Sequence, residues 1–388
     1  MSGSNDYHAD LARMDAWLRK NSMIECAALF DIGTRAARVL VGPKNLLTLK
    51  YWDQTFFVTV GFVPDLGGDV HPMTHALNVN ESRALGKLCK FIIDAMNVLK
   101  RNRISDSNIV AIGTEVFRVM PDSNRAEVTA WIEQQTGLKL QVIEGEHEAG
   151  LSLSAANSTY DRGLNDPSLL LNPEKQERLL LIDQGGGSSE VSFQETISDA
   201  RSESEGGLGT TTLQRMFFEG EGSDPESNFL SIREQYERIL IHIHKHVDEF
   251  KYIRSGSFKL AYALGTAISD CIPGLHKREI HNKILTSELI LSIERQRCSE
   301  LEVLYPTVAA LYKDLKRLKR AEDDRYVTAN KSVLFLYGLP VYRMILQKVG
   351  LSELRLCGYP LRYGAFLVWH AQQMGWDNRP RVSSRQNG

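Results

Sequence analysis

The sequence predicts an α/β protein built as two related domains. Three observations lead there: a length of 388 residues, strands that alternate with amphipathic helices, and one short motif plan that occurs near the start of each half. A single hydrophobic core rarely grows past about 250–300 residues, so a chain of this length is expected to divide. Alternation of strand and helix is the pattern of layered α/β folds. The repeated plan is LFDIGTRAARVLV and LIDQGGGSSEVSF: an apolar strand ending in Asp, one residue, Gly, small or hydroxyl residues, and a second strand. Two copies suggest two related domains facing each other across a cleft.

The elements follow in order. After a polar leader with helical character, Ala27 to Phe30 and Val39 to Val41 read as strands flanking a glycine turn. YWDQTFFVTVGF reads as a further strand of the same sheet, and VPDLGGDVHP as a turn-rich link. In ESRALGKLCKFIIDAMNVLKR the apolar Leu85, Leu88, Phe91, Ile92, Ala95 and Met96 fall near helical spacing. NIVAIGTE is a short strand. PDSNRAEVTAWIEQQTGLKLQVIEG is a helix with Asp122, Ser123 and Asn124 as candidate N-caps and Gly137 as its stop, followed by a strand.

Asn157 to Gln176 reads as a loop, and the domain boundary is placed just before it, giving domains 1–153 and 154–388. The second half repeats the scheme. It has a strand before Asp183, the strand VSFQE, a polar hairpin around DARSESEGG, a helix through Ser227 to Phe250, the strand LAYALGT and further helices. RLCGYPLRYGAFLVWHA lies near the end, and VSSRQNG reads as a disordered tail.

Composition excludes several classes. With 43% apolar and 24% charged residues and a net charge of −2, there is no electrostatic case for nucleic acid or an acidic membrane surface. Cys26, Cys89, Cys271, Cys298 and Cys357 are scattered and lack CxxC spacing, which argues against a disulfide framework or a zinc site and for reduced thiols in the cytoplasm. No signal-like h-region or run of about 18 uncharged apolar residues occurs, so neither secretion nor a membrane span is expected.

The glycine loops have a chemical rationale. Several backbone N–H groups can converge on a phosphate oxygen only where no Cβ intervenes and positive φ is accessible. Hydroxyls of Thr34, Ser188 and Ser189 can add donors. An aspartate at the strand end would repel phosphate directly, and its usual task is to hold a divalent cation that neutralises it. Asp31 and Asp183 fit that task. A single glycine turn after a strand is most often only a β-turn, but three adjacent glycines carry an entropic cost that an ordinary hairpin does not need.

Five segments, FDIGTRAARVLV, GTEVFRVMPDSN, VIEGEHEAGLSLSAA, LIDQGGGSSE and LRLCGYPLRYGAFL, together resemble the exopolyphosphatase and guanosine pentaphosphate phosphohydrolase (Ppx/GppA) family of the actin-like ATPase superfamily, over nearly all of residues 26–370. FDIGTRAARVLV is similar to the family's first phosphate loop, and GTEVFRVMPDSN to its Gly-Thr-x-x-x-Arg segment, which points at Arg118. VIEGEHEAGLSLSAA resembles the strand-end motif whose second glutamate falls on Glu148. LIDQGGGSSE matches the second phosphate loop closely, and LRLCGYPLRYGAFL resembles the C-terminal segment.

The resemblance implies two actin-like (ribonuclease H-like) domains with a phosphate-binding cleft. It also implies a phosphohydrolase that releases terminal phosphate from polyphosphate or a guanosine pentaphosphate-like nucleotide. Glu148 matches the family's catalytic base, and Glu190 the glutamate that helps hold the metal or the water. Asp31 and Asp183, with Glu148, would hold Mg²⁺ or Mn²⁺. Gly33, Thr34, Gly185, Gly186, Gly187, Ser188, Ser189, Gly209, Gly265 and Thr266 would cradle phosphates, and Arg35, Arg38 and Arg118 would neutralise charge. A homodimer is carried as one option for assembly.

The chain departs from the family pattern at Arg35, Ala36, His147, Gly150, Tyr262, Leu264, Cys357, Gly358 and Pro360, whereas Arg362 and Gly364 are kept. These departures leave two other readings open: a phosphate-binding sensor with little turnover, or an ATP-dependent kinase of the same superfamily. HIHKH could place His242, His244 and His246 together on a strand, or His242 and His246 on one helix face with Glu249. The surrounding pattern is an ordinary amphipathic helix, which favours a solvated surface over a metal site.

Overall fold

The computed structural model describes residues 7–44, 57–71, 73–160, 179–196, 199–219, 228–269, 283–321, 323, 325–358 and 361–366. CAALFDI, Cys26–Ile32 (β1), is apolar at every position but one and buried along its whole length, as the middle strand of a covered sheet must be. It turns through the first glycine loop into Ala37–Pro43 (β2), then Val58–Phe62 (β3); Ile109–Gly113 (β4) and Leu140–Val142 (β5) complete the sheet. Among the described residues its order is β3-β2-β1-β4-β5, with β1–β2 and β2–β3 antiparallel and β1–β4 and β4–β5 parallel. The helix Arg83–Arg101 begins at Ser82, whose side chain accepts from Leu85 N, and buries the apolar positions its period marked. The helix Asp122–Thr136 starts after Pro121 with no side-chain cap, so none of the three candidate N-caps acts as one. It ends at Gly137 in the left-handed region with φ 71°, as expected.

The second sheet is built from Leu179–Gln184 (β6), Ser189–Thr196 (β7), Asp199–Glu205 (β8), Leu260–Gly265 (β9), Ile284–Thr286 (β10) and Glu353–Leu356 (β11). Its order is β10-β11-β9-β6-β7-β8. Read outward from β6, the antiparallel neighbours β7 and β8 and the parallel neighbours β9 and β11 repeat the plan around β1, and β10 adds one antiparallel edge strand. The motif repeat is therefore a repeat of whole-sheet topology.

One expectation differs. DARSESE, read as a polar hairpin, is strand β8, paired with β7 throughout its length. A polar strand fits a sheet edge, where charge blocks pairing with another chain. The helix Ile232–Glu249 opens with a complete capping box between Ser231 and Glu234.

The chain divides into two compact units, one of residues 4–170 with 360–380 and one of residues 171–359. The expected boundary at 153/154 falls inside the helix Gly145–Tyr160, and the segment 361–366 groups with the first unit. Each unit has its own apolar core. In the first unit Phe30, Val39, Leu88, Phe91 and Ile132 are among the buried residues, and in the second Leu180, Val191, Ile239, Tyr337 and Ile345. Most of the Asn157 to Gln176 loop and the C-terminal tail lie outside the described residues.

Candidate active site

In the first unit the strand β1 carries Asp31 to its C-terminal end, opposite Arg38 on β2. Asp31 is buried, and Arg362 Nη1 lies 4.0 Å from its Oδ2. That separation exceeds a hydrogen bond, so Arg362 balances the charge from a distance while the carboxylate keeps its acceptor geometry. Arg362 comes from the segment 361–366, whose Gly364 is packed so closely that an added Cβ would lie 1.7 Å from Leu151 O.

The first glycine turn closes with Gly33 N donating to Ala36 O at 2.9 Å. The carbonyls of Thr34 and Arg35 accept from Gly67 N and Asp65 N at 2.9 and 3.0 Å. In a trans peptide the carbonyl of one residue and the N–H of the next point in opposite directions. Anchoring those two carbonyls therefore turns the N–H groups of Arg35 and Ala36 away from residues 65–67. Arg35 is exposed and Arg38 half-buried.

Arg118 and Glu148, expected in separate roles, form an ion pair in this unit. Arg118 Nη1 donates to Glu148 Oε2 at 2.6 Å and to Ile143 O at 3.0 Å, and Nη2 donates to Glu115 Oε2 at 2.9 Å. Arg118, Glu148 and Glu115 are each about a fifth exposed or less, at 11%, 18% and 21%. A partly buried guanidinium fixed by two carboxylates and a carbonyl holds Glu148 in one orientation.

In the second unit Asp183 ends β6 and stands directly opposite Glu190 on β7. Glu190 is buried, and its Oε1 accepts from Ser188 Oγ in a short hydrogen bond and from Ser204 Oγ at 3.0 Å. Ser188, expected to face phosphate, thus directs its hydroxyl at Glu190. Ser189 Oγ donates to Leu208 O at 2.8 Å.

The three glycines are anchored in the same manner as the first loop and more completely. Gly185 O accepts from Thr210 N at 2.9 Å and from its hydroxyl at 3.1 Å. Gly186 O accepts from Thr211 N at 2.7 Å, and Gly187 O from Thr212 Oγ1 at 2.9 Å. By peptide planarity the N–H groups of Gly186, Gly187 and Ser188 all point away from this threonine run, giving three successive donors on one side.

Gly209 backs the loop, since an added Cβ would lie 2.2 Å from Gly187 C and 2.4 Å from Ser188 N. Its part is close backbone packing. Gly265 adopts φ +126°, and an added Cβ there would sit 2.3 Å from Tyr342 Oη. Tyr342 Oη donates to Leu264 O. Thr266 begins the short helix Thr266–Ser269.

Asp31 in the first unit, and Asp183 and Glu190 in the second, each offer carboxylate oxygen, the donor type that hard cations such as Mg²⁺ and Mn²⁺ prefer. Glu115, Thr210 to Thr212, Ser204 and Arg362 were not among the candidates. TTT directly after Gly209 was the visible signal for one of them, three hydroxyl residues at a helix start beside a glycine loop.

Comparison with known proteins identifies the family and the fold. The Ppx/GppA phosphatase family model matches residues 73–371, and the chain belongs to that family. Similar solved structures include a Ppx/GppA family member from Aquifex aeolicus, at 18% identity and TM-score 0.63, covering 91% of this chain and 98% of that one. An exopolyphosphatase from Cytophaga hutchinsonii aligns at 13% identity and TM-score 0.58, covering 91% and 99%. An exopolyphosphatase-like protein gives 17% identity and TM-score 0.62 over 90% and 99%. These likenesses show the shared α/β fold. No curated protein matches the chain. Among the described residues no helix is long and apolar enough to cross a membrane.

Proposed function

We propose that the chain is a phosphohydrolase that releases terminal phosphate from inorganic polyphosphate, from a guanosine pentaphosphate-like nucleotide, or from both, by attack of water. The observation that carries this is the anchoring of the Gly185, Gly186 and Gly187 carbonyls by Thr210 to Thr212. It turns three consecutive amides to one side, an arrangement suited to a phosphate. Family membership supports the reaction class.

In this reading Asp31 and Asp183 would offer carboxylate oxygens to Mg²⁺ or Mn²⁺, which would supply charge neutralisation at the transferred phosphate. Glu148 accepts the proton of the attacking water, and Arg118 fixes its carboxylate at 2.6 Å. The amides of the two loops hold the phosphate oxygens. Glu190, fixed by Ser188 and Ser204, helps place Asp183 across the β6–β7 pair. Cys26, Cys89 and Cys298 are buried thiols, which supports a reducing, cytoplasmic setting.

The test is phosphate release from polyphosphate and from guanosine pentaphosphate, each with Mg²⁺ and with Mn²⁺, for the wild type and Glu148→Gln. Metal-dependent release that Glu148→Gln abolishes supports the reading; equal turnover by both proteins overturns it. The Arg118–Glu148 ion pair also favours a second reading, a sensor that binds without turnover, because a carboxylate already paired with a guanidinium is a weaker proton acceptor. Binding of either ligand without release of phosphate over hours would select that reading.

A further inference from the structure

Of the HIHKH run, the helix Ile232–Glu249 turns His242 and His246 toward the end of β8 and the turn Gly206–Leu208, while His244 is exposed. His246 Nδ1 lies 3.0 Å from Glu205 Oε1 and 3.2 Å from Glu249 Oε2. The three donor atoms all lie within 4.8 Å of one another. His242, one helical turn before, places its Nε2 3.0 Å from Gly207 O, and its ring centroid is 4.3 Å from that of His246. The favoured sequence expectation, a solvated surface, does not hold for these two rings, because both are packed on the 205–208 turn.

We propose that Glu205, His246 and Glu249 form a binding site for a divalent transition metal, Zn²⁺ or Mn²⁺, separate from both glycine loops. Geometry comes first. Ligands about 2.1 Å from a tetrahedral ion stand roughly 3.4 Å apart, and the two measured separations already approach that edge length before any ion is added. Donor type comes second. One imidazole nitrogen with two carboxylates is a mixed set that suits zinc or manganese and is a poor choice for magnesium, which prefers oxygen donors.

Access is the third point. Glu205 and His246 are 22% and 19% exposed but Glu249 is 49% exposed, so the site has a closed side and an open side where water can complete the coordination. The protein also makes room for the ring. An added Cβ at Gly207 would lie 2.8 Å from His246 Cε1, so only glycine at 207 lets the imidazole sit over the turn.

The ion would clamp the helix to the end of β8. Four residues beyond Glu205 stands Gly209, pressed against Gly187 and Ser188. The site therefore stiffens the segment on which the second glycine loop rests. The inference stands on these residues alone and holds whichever substrate the chain takes.

The experiment is isothermal titration of metal-stripped full-length protein with Zn²⁺ alone, for the wild type, Glu249→Gln and His246→Gln. The expected result is one binding event whose affinity falls at least tenfold in each variant. Because Glu249 is half-exposed, Glu249→Gln keeps the fold even if His246→Gln does not. In parallel, imidazole ¹H–¹⁵N spectra of the wild type should show one histidine whose Nδ1 resonance moves to a metal-bound position on Zn²⁺ addition, and that resonance should be missing from His246→Gln. Zinc isotherms indistinguishable between wild type and Glu249→Gln, or imidazole resonances that do not move, overturn the proposal.

Discussion

Arg118 sits between Glu148 and Glu115, 2.6 Å from one carboxylate and 2.9 Å from the other. This places Glu148, the proposed base, under the control of a neighbour 30 residues away in sequence. Glu148→Gln should lower phosphate release by about 10²–10⁴-fold, the usual contribution of a general base. The melting temperature should hardly change, because Arg118 retains Glu115 and Ile143 O.

Arg118→Lys separates two roles for the arginine. A lysine ammonium cannot reach both carboxylates in the planar fork that guanidinium provides. If Arg118 positions Glu148, kcat falls by roughly tenfold or more while KM stays near the wild-type value. A rise in KM at unchanged kcat would instead show that Arg118 binds phosphate, as the sequence resemblance suggested.

Gly209→Ala inserts a methyl group where 2.2 Å separates its position from a backbone carbon. Backbone gives way less readily than side chains, so the cost should reach or exceed the roughly 1–3 kcal/mol of ordinary overpacking. Urea unfolding would measure it. Phosphate release should fall as well, because the displaced group is the Gly187–Ser188 peptide.

Glu294→Gln tests a buried charge that belongs to neither glycine loop. Glu294 is fully buried and binds Tyr236 Oη at 2.5 Å and the Arg343 guanidinium at 2.9–3.2 Å. Burial, then the Glu294 charge, pushes the Tyr236 phenol above its ordinary range. Removing the carboxylate leaves Arg343 uncompensated, which should cost about 3–5 kcal/mol. For a unit of this size the melting temperature should fall by roughly 6–20 °C, with little change in KM.

Alkaline pH should destabilise the protein through its buried thiols. Burial pushes Cys26 and Cys298 up to about 11 and Cys89 up to about 12, from an ordinary value of 9.0. A raised folded-state pKa stabilises fully below the unfolded value and loses that stability as the pH climbs through the folded one. Stability to urea should therefore fall between about pH 9 and 12, and the fall should be smaller in Cys89→Ala. At pH 8 these three thiols should resist a thiol reagent until the protein is unfolded.

Much of this was legible locally. A strand-end aspartate before a glycine turn is a short-range pattern, and both copies, at Asp31 and Asp183, mark the central strands β1 and β6. Gly137 stops its helix because the left-handed region suits glycine. The run DARSESE gave no strand signal, because an edge strand needs backbone pairing and no apolar alternation. The Arg118–Glu148 ion pair and the stacking of Gly209 on Gly187 join residues far apart in the chain, and no periodicity encodes them. The threonines at 210–212 were in view, but their task became clear only once the glycine carbonyls had a direction.

The return of the chain to the first unit also fixes an order of events during synthesis. Arg362 faces Asp31, and Gly364 fits against Leu151, so these contacts of the first unit must wait until residues 171–359 have been translated. Residues 171–359, the main part of the second unit, are translated before Arg362. The unit whose synthesis starts first thus waits for the stretch between, and Asp31 gains Arg362 as counter-charge only after residues 171–359 have been made.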